Sequence, residues 1–413
     1  MRVAVIGTGI AGLGAAYVLS QAHEVELFER NDYAGGHTNT VSVRRDGREL
    51  PLDTGFIVLN EPNYPRLVRL FRELGVRTQD SEMSFSVSCR RCGLEYSGRR
   101  PFAQPANLVR PAFLGLLGEI TRFLRSAGGI LDDSRYQEAT LADYVEAEGY
   151  SQRFRDHYLV PLTAAIWSTA PERALDFPAV YAVRFFDNHG MLGFRRHQWK
   201  TIAGGSREYV RAIVGPLEER LRLGSEVRTL TRHADGVDVR TADGEERRFD
   251  KAVVAAHPDE ALALLADPSE DERRILGAFT FTRNETVLHT DQAFLPQARA
   301  ARAAWNYQIA DCRSPSARPT VTYYLNRLQR LDEPEHYCVT LNRSDEIRED
   351  RVIQRFVYHH PLYTMGSLHA QAALPRLNGA RHTVYCGAYH GFGFHEDGLV
   401  SGLAAARALG VEW

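Results

Sequence analysis

The stretch RVAVIGTGIAGLGAAYVL, residues 2–19, decides how this chain folds. It begins with a run that lacks polar alternation, which is typical of a strand buried on both faces of a sheet. Gly7, Gly9 and Gly12 then form GxGxxG, and the small residues after them predict a helix that packs closely on the strand. Glycine in such a turn lets a phosphate approach the N–H groups at the start of the helix. The stretch therefore predicts the first strand–turn–helix unit of a parallel α/β sheet.

A second strand is predicted at residues 23–29, and it ends in Glu29. An acid roughly 20 residues after the glycine turn accepts hydrogen bonds from ribose hydroxyls in dinucleotide-binding domains. The backbone of Ile10 and Ala11, at the start of the helix, is then expected to meet a pyrophosphate. This unit predicts a dinucleotide site but does not distinguish NAD from FAD.

The composition is that of an ordinary globular protein. Hydrophobic residues make up 44% and charged residues 25% of the 413 residues, a length that suits two or three domains. The net charge of −2 gives no strong field, so we expect no nucleic-acid partner. Five cysteines do not suggest a secreted disulfide framework, and the amino end lacks the basic region of a signal peptide. We expect a cytoplasmic protein, and its oligomeric state is left unknown.

Two further segments resemble those of the flavin amine oxidase-like superfamily, which includes protoporphyrinogen oxidases and carotenoid desaturases. Residues 30–38 (RNDYAGGHT) resemble the second half of its ExxxxxGGR segment, with His37 where arginine is usual. Residues 390–397 (HGFGFHED), between a predicted strand and a small-residue helix, resemble its terminal flavin-binding segment. The pattern is most similar to a bacterial group with GFHEDG near the carboxyl end, and to a module fused to plant cyclopropane fatty acid synthases.

The glycine motif and this resemblance together imply FAD as the cofactor. The residues predicted to bind it are Gly7, Gly9, Ile10, Ala11, Gly12, Glu29, Arg30, Gly35, Gly36, His37, Thr38, Thr54, Gly55, Phe56, Val227, Gly387, His395, Glu396, Asp397, Gly398 and Leu399. His395 and Glu396 are also the candidate catalytic residues, because the resemblance places their loop beside the flavin. Asp397 is equally open to a role as the cap of the following helix.

The implied fold is α/β, with a discontinuous glutathione-reductase-type FAD-binding Rossmann domain and a mixed α+β substrate domain. Asp-Gly turns at 235–236 and 243–244 predict a three-stranded meander that belongs to the first of these. The predicted FAD-binding domain comprises residues 1–79, 200–270 and 376–413, and the predicted substrate domain comprises residues 80–199 and 271–375.

Cys89 and Cys92 form a single CxxC pair in a predicted hairpin. Structural zinc usually needs four ligands, and no second pair with suitable spacing exists in the sequence. We therefore expect two turn cysteines and no metal site.

An apolar run at residues 111–124 is flanked by arginines. The run predicts a helix packed in the substrate domain. A helix that rests on a membrane surface or admits a lipid substrate is the alternative.

Of the 50 basic residues only Lys200 and Lys251 are lysines. The resemblance implies a lysine near the flavin, in the later part of the substrate domain, for members that oxidise amines. This chain has no lysine after Lys251, which disfavours amine oxidation.

The sequence thus predicts hydride transfer between FAD and an apolar small molecule, with an acyl-lipid or isoprenoid-like substrate preferred. Two alternatives stay open at this point. One is an FAD-dependent isomerase that moves a double bond in an unsaturated lipid. The other is a non-catalytic FAD-bound partner of a lipid-modifying enzyme.

Overall fold

The predicted strands and helices form a mixed α/β fold, which a computed structural model describes for residues 1–193, 197–313 and 320–413. The strands are β1 (Arg2–Ile6), β2 (Glu24–Phe28), β3 (Thr40–Arg45), β4 (Arg48–Asp53), β5 (Leu59–Asn60), β6 (Thr78–Ser81), β7 (Phe85–Cys89), β8 (Glu95–Ser97), β9 (Trp199–Ile202), β10 (Leu221–Arg222), β11 (Val227–Arg232), β12 (Val237–Thr241), β13 (Glu246–Phe249), β14 (Lys251–Val254), β15 (Thr280–His289), β16 (Trp305–Ile309), β17 (Val321–Tyr324), β18 (Cys338–Leu341), β19 (Val352–Leu362) and β20 (Thr383–Tyr385).

The described part of the chain also contains thirteen α-helices. They are α1 (Ile10–Leu19), α2 (Pro65–Glu73), α3 (Pro111–Ser126), α4 (Leu141–Ala147), α5 (Gln152–Phe154), α6 (Val160–Trp167), α7 (Ala179–Asn188), α8 (Arg207–Val214), α9 (Pro258–Leu264), α10 (Glu270–Leu276), α11 (Leu325–Leu328), α12 (Met365–Ala373) and α13 (His395–Ala408). A π-helical turn, Arg155–Leu159, joins α5 to α6. Among the described residues, no helix has both the length and the apolar character needed to cross a bilayer.

Strand β1 lies at the centre of a five-stranded parallel sheet with the order β10-β2-β1-β14-β20. The sheet draws its strands from the beginning, the middle and the end of the chain, so the Rossmann domain is discontinuous as predicted. The meander predicted from the two Asp-Gly turns is confirmed as the antiparallel sheet β11-β12-β13. The domain bounds given above stay a prediction.

The small-residue faces of α1 and α13 bring the two ends of the chain together. A methyl group on Gly14 would lie 2.6 Å from Leu399 Cδ1, and one on Gly402 would lie 2.1 Å from the Ala11 carbonyl oxygen. The second distance is to a backbone atom and is too short for any side chain, so the two helices are in backbone contact at Gly402. This packing carries the loop before α13 to the carboxyl edge of the parallel sheet, beside the glycine turn.

The second domain is built on a seven-stranded sheet with the order β19-β15-β18-β17-β16-β7-β8, in which only β16 and β7 pair in parallel. Helix α3 is packed in this domain, as the first of the two interpretations predicted, and buries Phe113, Leu116 and Phe123. Leu114 and Val109 remain exposed near its start, at 44% and 80%. Contact of this surface with a membrane stays a prediction.

A buried ion pair fixes the meander to the rest of the first domain. The side chains of Arg232 and Glu272 are 1% and 5% exposed, and Tyr385 and the Ser269 N–H donate further hydrogen bonds to Glu272. Burial alone would raise the pKa of Glu272, but these hydrogen bonds outweigh it and lower the pKa to about 2. One carboxylate therefore joins β11, α10 and β20.

We expect Glu272→Gln to lower the free energy of unfolding by about 2 kcal/mol at neutral pH. Because the pKa in the folded state is lowered, the stabilisation is complete above the unfolded pKa, about 4.3. It is lost as the pH falls towards 2, so the difference between variant and parent shrinks there. Urea unfolding at pH 7 and pH 3 measures this, with exposed Glu270→Gln from the same helical turn as control. A difference independent of pH would contradict the assignment.

Candidate active site

A single cavity of about 640 Å³ runs from the glycine turn after β1 into the second domain. This volume lies within the range of sites that bind cofactors and drug-sized ligands. Gly9 and Glu29 lie at one end of the cavity, and Trp167, Phe185 and Trp305 lie at the other. The cavity therefore joins the predicted dinucleotide site to a chamber in the predicted substrate domain.

The three glycines of the turn have different spatial roles. A Cβ on Gly7 would lie 2.5 Å from the Ala255 carbonyl oxygen, and one on Gly12 would lie 2.0 Å from the Gly7 carbonyl oxygen. A Cβ on Gly9 would meet no protein atom within 4 Å. The φ of Gly9, −64°, is one that any residue adopts, so the backbone does not require glycine at this position. Gly7 and Gly12 thus close the turn, whereas Gly9 keeps a space open for something other than protein.

The start of α1 offers free hydrogen-bond donors to that space. No side chain caps the helix, no acid lies in its first turn, and its first internal hydrogen bond runs from Leu13 N–H to Gly9. The N–H groups before Leu13 therefore have no partner within the helix and carry partial positive charge. An anionic pyrophosphate satisfies both properties.

Glu29 is held firmly at the rim of this end of the cavity. It is 5% exposed; Thr8 donates its N–H and hydroxyl to Oε2, and Asn31 donates its N–H and side-chain amide to Oε1. These four donors fill the roughly four acceptor sites of the carboxylate, so a ribose hydroxyl would bind Glu29 by replacing one of them or by sharing an oxygen with it. The glycine space, the free N–H groups and this fixed acid together fit the FAD that the sequence predicts.

The structure places most of the predicted cofactor-binding residues on the cavity wall. Those that line it are Gly7, Gly9, Ile10, Ala11, Glu29, Arg30, Gly35, Gly36, His37, Gly55, Phe56, Val227, Gly387 and His395. Those that lie behind the wall are Gly12, Thr38, Thr54, Glu396, Asp397, Gly398 and Leu399.

Glu396, a predicted catalytic residue, is turned away from the cavity. Its two carboxylate oxygens accept the N–H groups of Arg66 and Leu67, each at 2.9 Å. Helix α2 has no side-chain cap of its own, and Glu396 supplies one from α13. These contacts give Glu396 a role in joining α13 to α2, and its catalytic role stays a prediction that they do not support.

Asp397 and Leu399 also support the site from behind. Asp397 accepts the Phe394 N–H at 2.9 Å and so caps its own helix, which is the alternative left open above. Burial raises the pKa of Asp397 to about 6, against the backbone hydrogen bonds that it accepts. Leu399 is fully buried and packs against Gly14, so it forms part of the contact between α1 and α13.

His395 faces the cavity and is fixed on two sides. Its ring stacks on Phe56 with ring centroids 3.7 Å apart, and its Nε2 lies 2.9 Å from Thr38 Oγ1. The fully buried Tyr209 has the Thr38 hydroxyl as its hydrogen-bond partner. The arrangement that satisfies every buried donor of this group has the Tyr209 phenol donating to Thr38 and the Thr38 hydroxyl donating to Nε2.

This network sets the protonation of the His395 ring. With Nε2 accepting, the ring proton is carried by Nδ1. Burial, with a smaller contribution from His37, lowers the pKa of His395 well below its usual range. The ring is therefore neutral at physiological pH and presents one N–H donor of fixed orientation.

Histidines that the sequence did not assign to the site surround His37. His257, His359 and His360 also line the cavity, and the ring centroids of His37 and His360 are 5.4 Å apart. Burial and the neighbouring His257 lower the pKa of His37 to about 4. The family's usual arginine at this position is thus replaced by an uncharged ring at neutral pH.

The chamber at the other end of the cavity is aromatic and carries no charge among the described residues. Its walls include Trp167, Phe185, Trp199, Trp305 and Tyr323. The charged residues on the cavity wall are Glu29, Arg30, Glu226, Arg228 and Glu260. All five lie near the end of β2. Arg30 pairs there with Glu260 at 2.7 Å. Glu226 follows Ser225, and the Ser225 N–H binds the Glu29 carbonyl.

Comparison with known proteins identifies the family. Residues 10–410 match the family model of flavin-containing amine oxidoreductases. The Mycobacterium tuberculosis protein named as a flavin-containing monoamine oxidase, AofH, is 26% identical over 283 residues. That match covers 64% of this chain and 59% of the length of the mycobacterial protein. A 4,4'-diapophytoene desaturase of Staphylococcus aureus is 48% identical over 48 residues, which are 11% of this chain and 9% of the desaturase.

Solved structures share the fold at low sequence identity. A triple mutant of putrescine oxidase superposes with a TM-score of 0.72 at 14% identity, covering 99% of this chain and 98% of the other. A fatty acid isomerase from P. acnes that produces CLA superposes with a TM-score of 0.69 at 18% identity, covering 98% of each chain. At such identities the likeness establishes the fold alone.

Proposed function

We propose that this chain, which belongs to the flavin-containing amine oxidoreductase family, is an FAD-dependent oxidoreductase that transfers a hydride between FAD and an apolar lipid. An acyl chain or an isoprenoid-like chain is the substrate class that we favour. The uncharged aromatic chamber is the observation that carries the proposal.

The chamber suits an apolar chain better than an amine. A protonated amine taken into a buried site needs a carboxylate or several oxygen acceptors to replace its water. None of the charged side chains on the described cavity wall lies at the aromatic end. Neither lysine of the chain reaches the cavity, since Lys200 pairs with Glu61 at 2.8 Å and Lys251 contacts His382 at 3.1 Å.

The protein's own part in the reaction is to position the substrate and to exclude water. FAD, when bound by the residues at the glycine end, supplies the hydride-accepting group. The aromatic walls, such as Trp305 and Tyr323 with centroids 5.1 Å apart, hold an apolar chain by burying its surface. His395 offers its Nδ1–H as the oriented donor between the two ends of the cavity.

We expect His395→Gln to reduce turnover about tenfold, since it removes one oriented hydrogen bond and the ring that stacks on Phe56. Rates are expressed per bound FAD, because His395 is also a predicted FAD-binding residue and the variant can lower the FAD content. Steady-state rates across pH 6–9 measure the effect, and Thr38→Ser, which keeps the hydroxyl that orients the ring, serves as control. Unchanged turnover at every pH would remove His395 from the reaction.

Substrate class is tested by anaerobic reduction of the holoprotein. Unsaturated fatty acids, acyl phospholipids and isoprenoids are compared with putrescine and benzylamine, and bleaching of the flavin absorption is recorded with the product mass. We expect bleaching by a lipid and a product that differs by two hydrogens. Bleaching by amines alone would overturn the proposal. A moved double bond at unchanged mass would instead establish the isomerase alternative on the same apolar substrate class.

A further inference from the structure

Three cysteines and one histidine converge in the substrate domain, outside the cavity. Cys89, Cys92 and Cys312 contribute sulfur atoms and His157 contributes an imidazole nitrogen, and all four atoms lie within 4.8 Å of one another. None of the four residues lines the cavity. We propose that they bind one structural Zn²⁺ ion.

The donor set and its spacing match zinc. Three cysteines and a histidine are one of the standard ligand sets of structural, four-coordinate zinc. With Zn–S near 2.3 Å and Zn–N near 2.0 Å, a tetrahedral site has an S···N edge of about 3.6 Å. Cys92 Sγ and His157 Nε2 are 3.6 Å apart. Four protein ligands leave no open position, so the ion is structural rather than catalytic.

Backbone pairing holds the three cysteines in place. Cys89 ends β7 and pairs with Ile309 at the end of the parallel neighbour β16. The Arg90 N–H binds the Ile309 carbonyl, so the CxxC turn and the chain leading to Cys312 leave the sheet side by side. The turn closes through the Gly93 N–H and the Cys89 carbonyl, 2.9 Å apart, with Gly93 at a φ of +66° that favours glycine.

The fourth ligand comes from an interrupted helix. His157 lies in the π-helical turn between α5 and α6, and Tyr96 donates its hydroxyl to the His157 carbonyl at 2.6 Å. Such π-turns are rare and are frequent at functional sites. The ring is 4% exposed; its Nδ1 has no hydrogen-bond partner in the described part of the chain, and its Nε2 has a thiol. A thiol is a weak hydrogen-bond partner, so a metal ion would be a stronger partner for the buried Nε2, whereas Nδ1 would keep no partner among the described residues.

The ion would connect the sheet to a helix that ends at the active site. Helix α6 begins directly after the π-turn, and its last residues, Ile166 and Trp167, line the aromatic chamber. Zinc at His157 thus fixes the near end of α6 to β7 and β16. We expect its loss to lower stability, because a structural zinc contributes directly to folding.

The test is the metal content of the purified holoprotein, prepared with a reductant and without chelator. We expect one zinc per chain by elemental analysis, and zinc lost in Cys92→Ala and His157→Ala. Cys338→Ala, a buried cysteine outside the cluster, is the matched control and should keep its zinc. Replacement of zinc by Co²⁺ should add thiolate–metal absorption, which must be absent from Cys92→Ala.

FAD content is recorded for the same samples, so that a failure of the zinc site is distinguished from a failure of the flavin assignment. The proposal would be overturned by protein that is loaded with flavin and has its cysteines reduced, yet contains no zinc and takes up neither Zn²⁺ nor Co²⁺. An intact mass two hydrogens below that of the reduced chain, with no metal, would replace it by a disulfide. Should His157→Ala fail to fold, Cys92→Ala, at an exposed residue, decides the outcome.

Discussion

Gly9→Val protein should purify without flavin and yet fold, with affinity for FAD lowered more than 100-fold. The valine side chain would enter the space in which a Cβ meets no protein atom within 4 Å, so it displaces the cofactor and not the protein. The φ of −64° is open to any residue, so backbone strain is small. Absorption spectra and titration of the apoprotein with FAD measure the loss.

The control for this variant is Gly118→Val, at an exposed position in α3 where a Cβ also meets nothing within 4 Å. Both variants should give far-ultraviolet circular dichroism like the parent, and only the first should lose colour. Gly9→Val protein that retains one FAD per chain would show that this end of the cavity is not where the cofactor binds.

Met83→Glu should reduce reactivity with lipid substrates at least 100-fold while the protein keeps its FAD. Met83 lies just before β7, on the wall of the cavity that also includes Trp305 and Tyr323. A carboxylate there must be stripped of water by an incoming apolar chain, which costs several kcal/mol. The rate of anaerobic flavin bleaching at varied lipid concentration measures the loss.

Met83→Leu is the matched control, since it keeps the volume and apolar character of the wall, and it should change the rate less than threefold. If Met83→Glu retained lipid activity, the apolar substrate would have to bind elsewhere. If the variant gained activity on amines, an added carboxylate in this chamber would be sufficient to hold a cationic substrate, which would support the interpretation of the uncharged wall.

The parts of the site that follow from local sequence were predicted most fully. The glycine turn and Glu29 are neighbours through one strand–turn–helix–strand unit, so their spacing along the chain determines their spacing in the fold. Residues 395–397 are consecutive, but a helix turns each to a different direction. The sequence therefore placed this segment at the site and could not tell that Glu396 faces α2 while His395 faces the cavity.

Long-range convergence explains what the sequence did not predict. Trp167, Phe185 and Trp305 come from separate elements, and no spacing rule connects aromatic residues on different strands and helices. The same holds for Cys312 and His157, which lie far from the CxxC pair along the chain. Cys312 reaches the pair through the pairing of β7 with β16, and His157 reaches it through a π-helical turn held by Tyr96 of β8.

The assembly of the parallel sheet from both ends of the chain has a consequence for biosynthesis. Strand β1 emerges from the ribosome first, but its partner β14 follows some 250 residues later, and β20 and α13 later still. At roughly 5–20 residues per second, the amino-terminal strands wait many seconds for their neighbours. His395 appears later than every other residue of the cavity wall. FAD capture therefore waits until residue 395 has been made, and a nascent chain interrupted before that residue has no complete site with which to hold its cofactor.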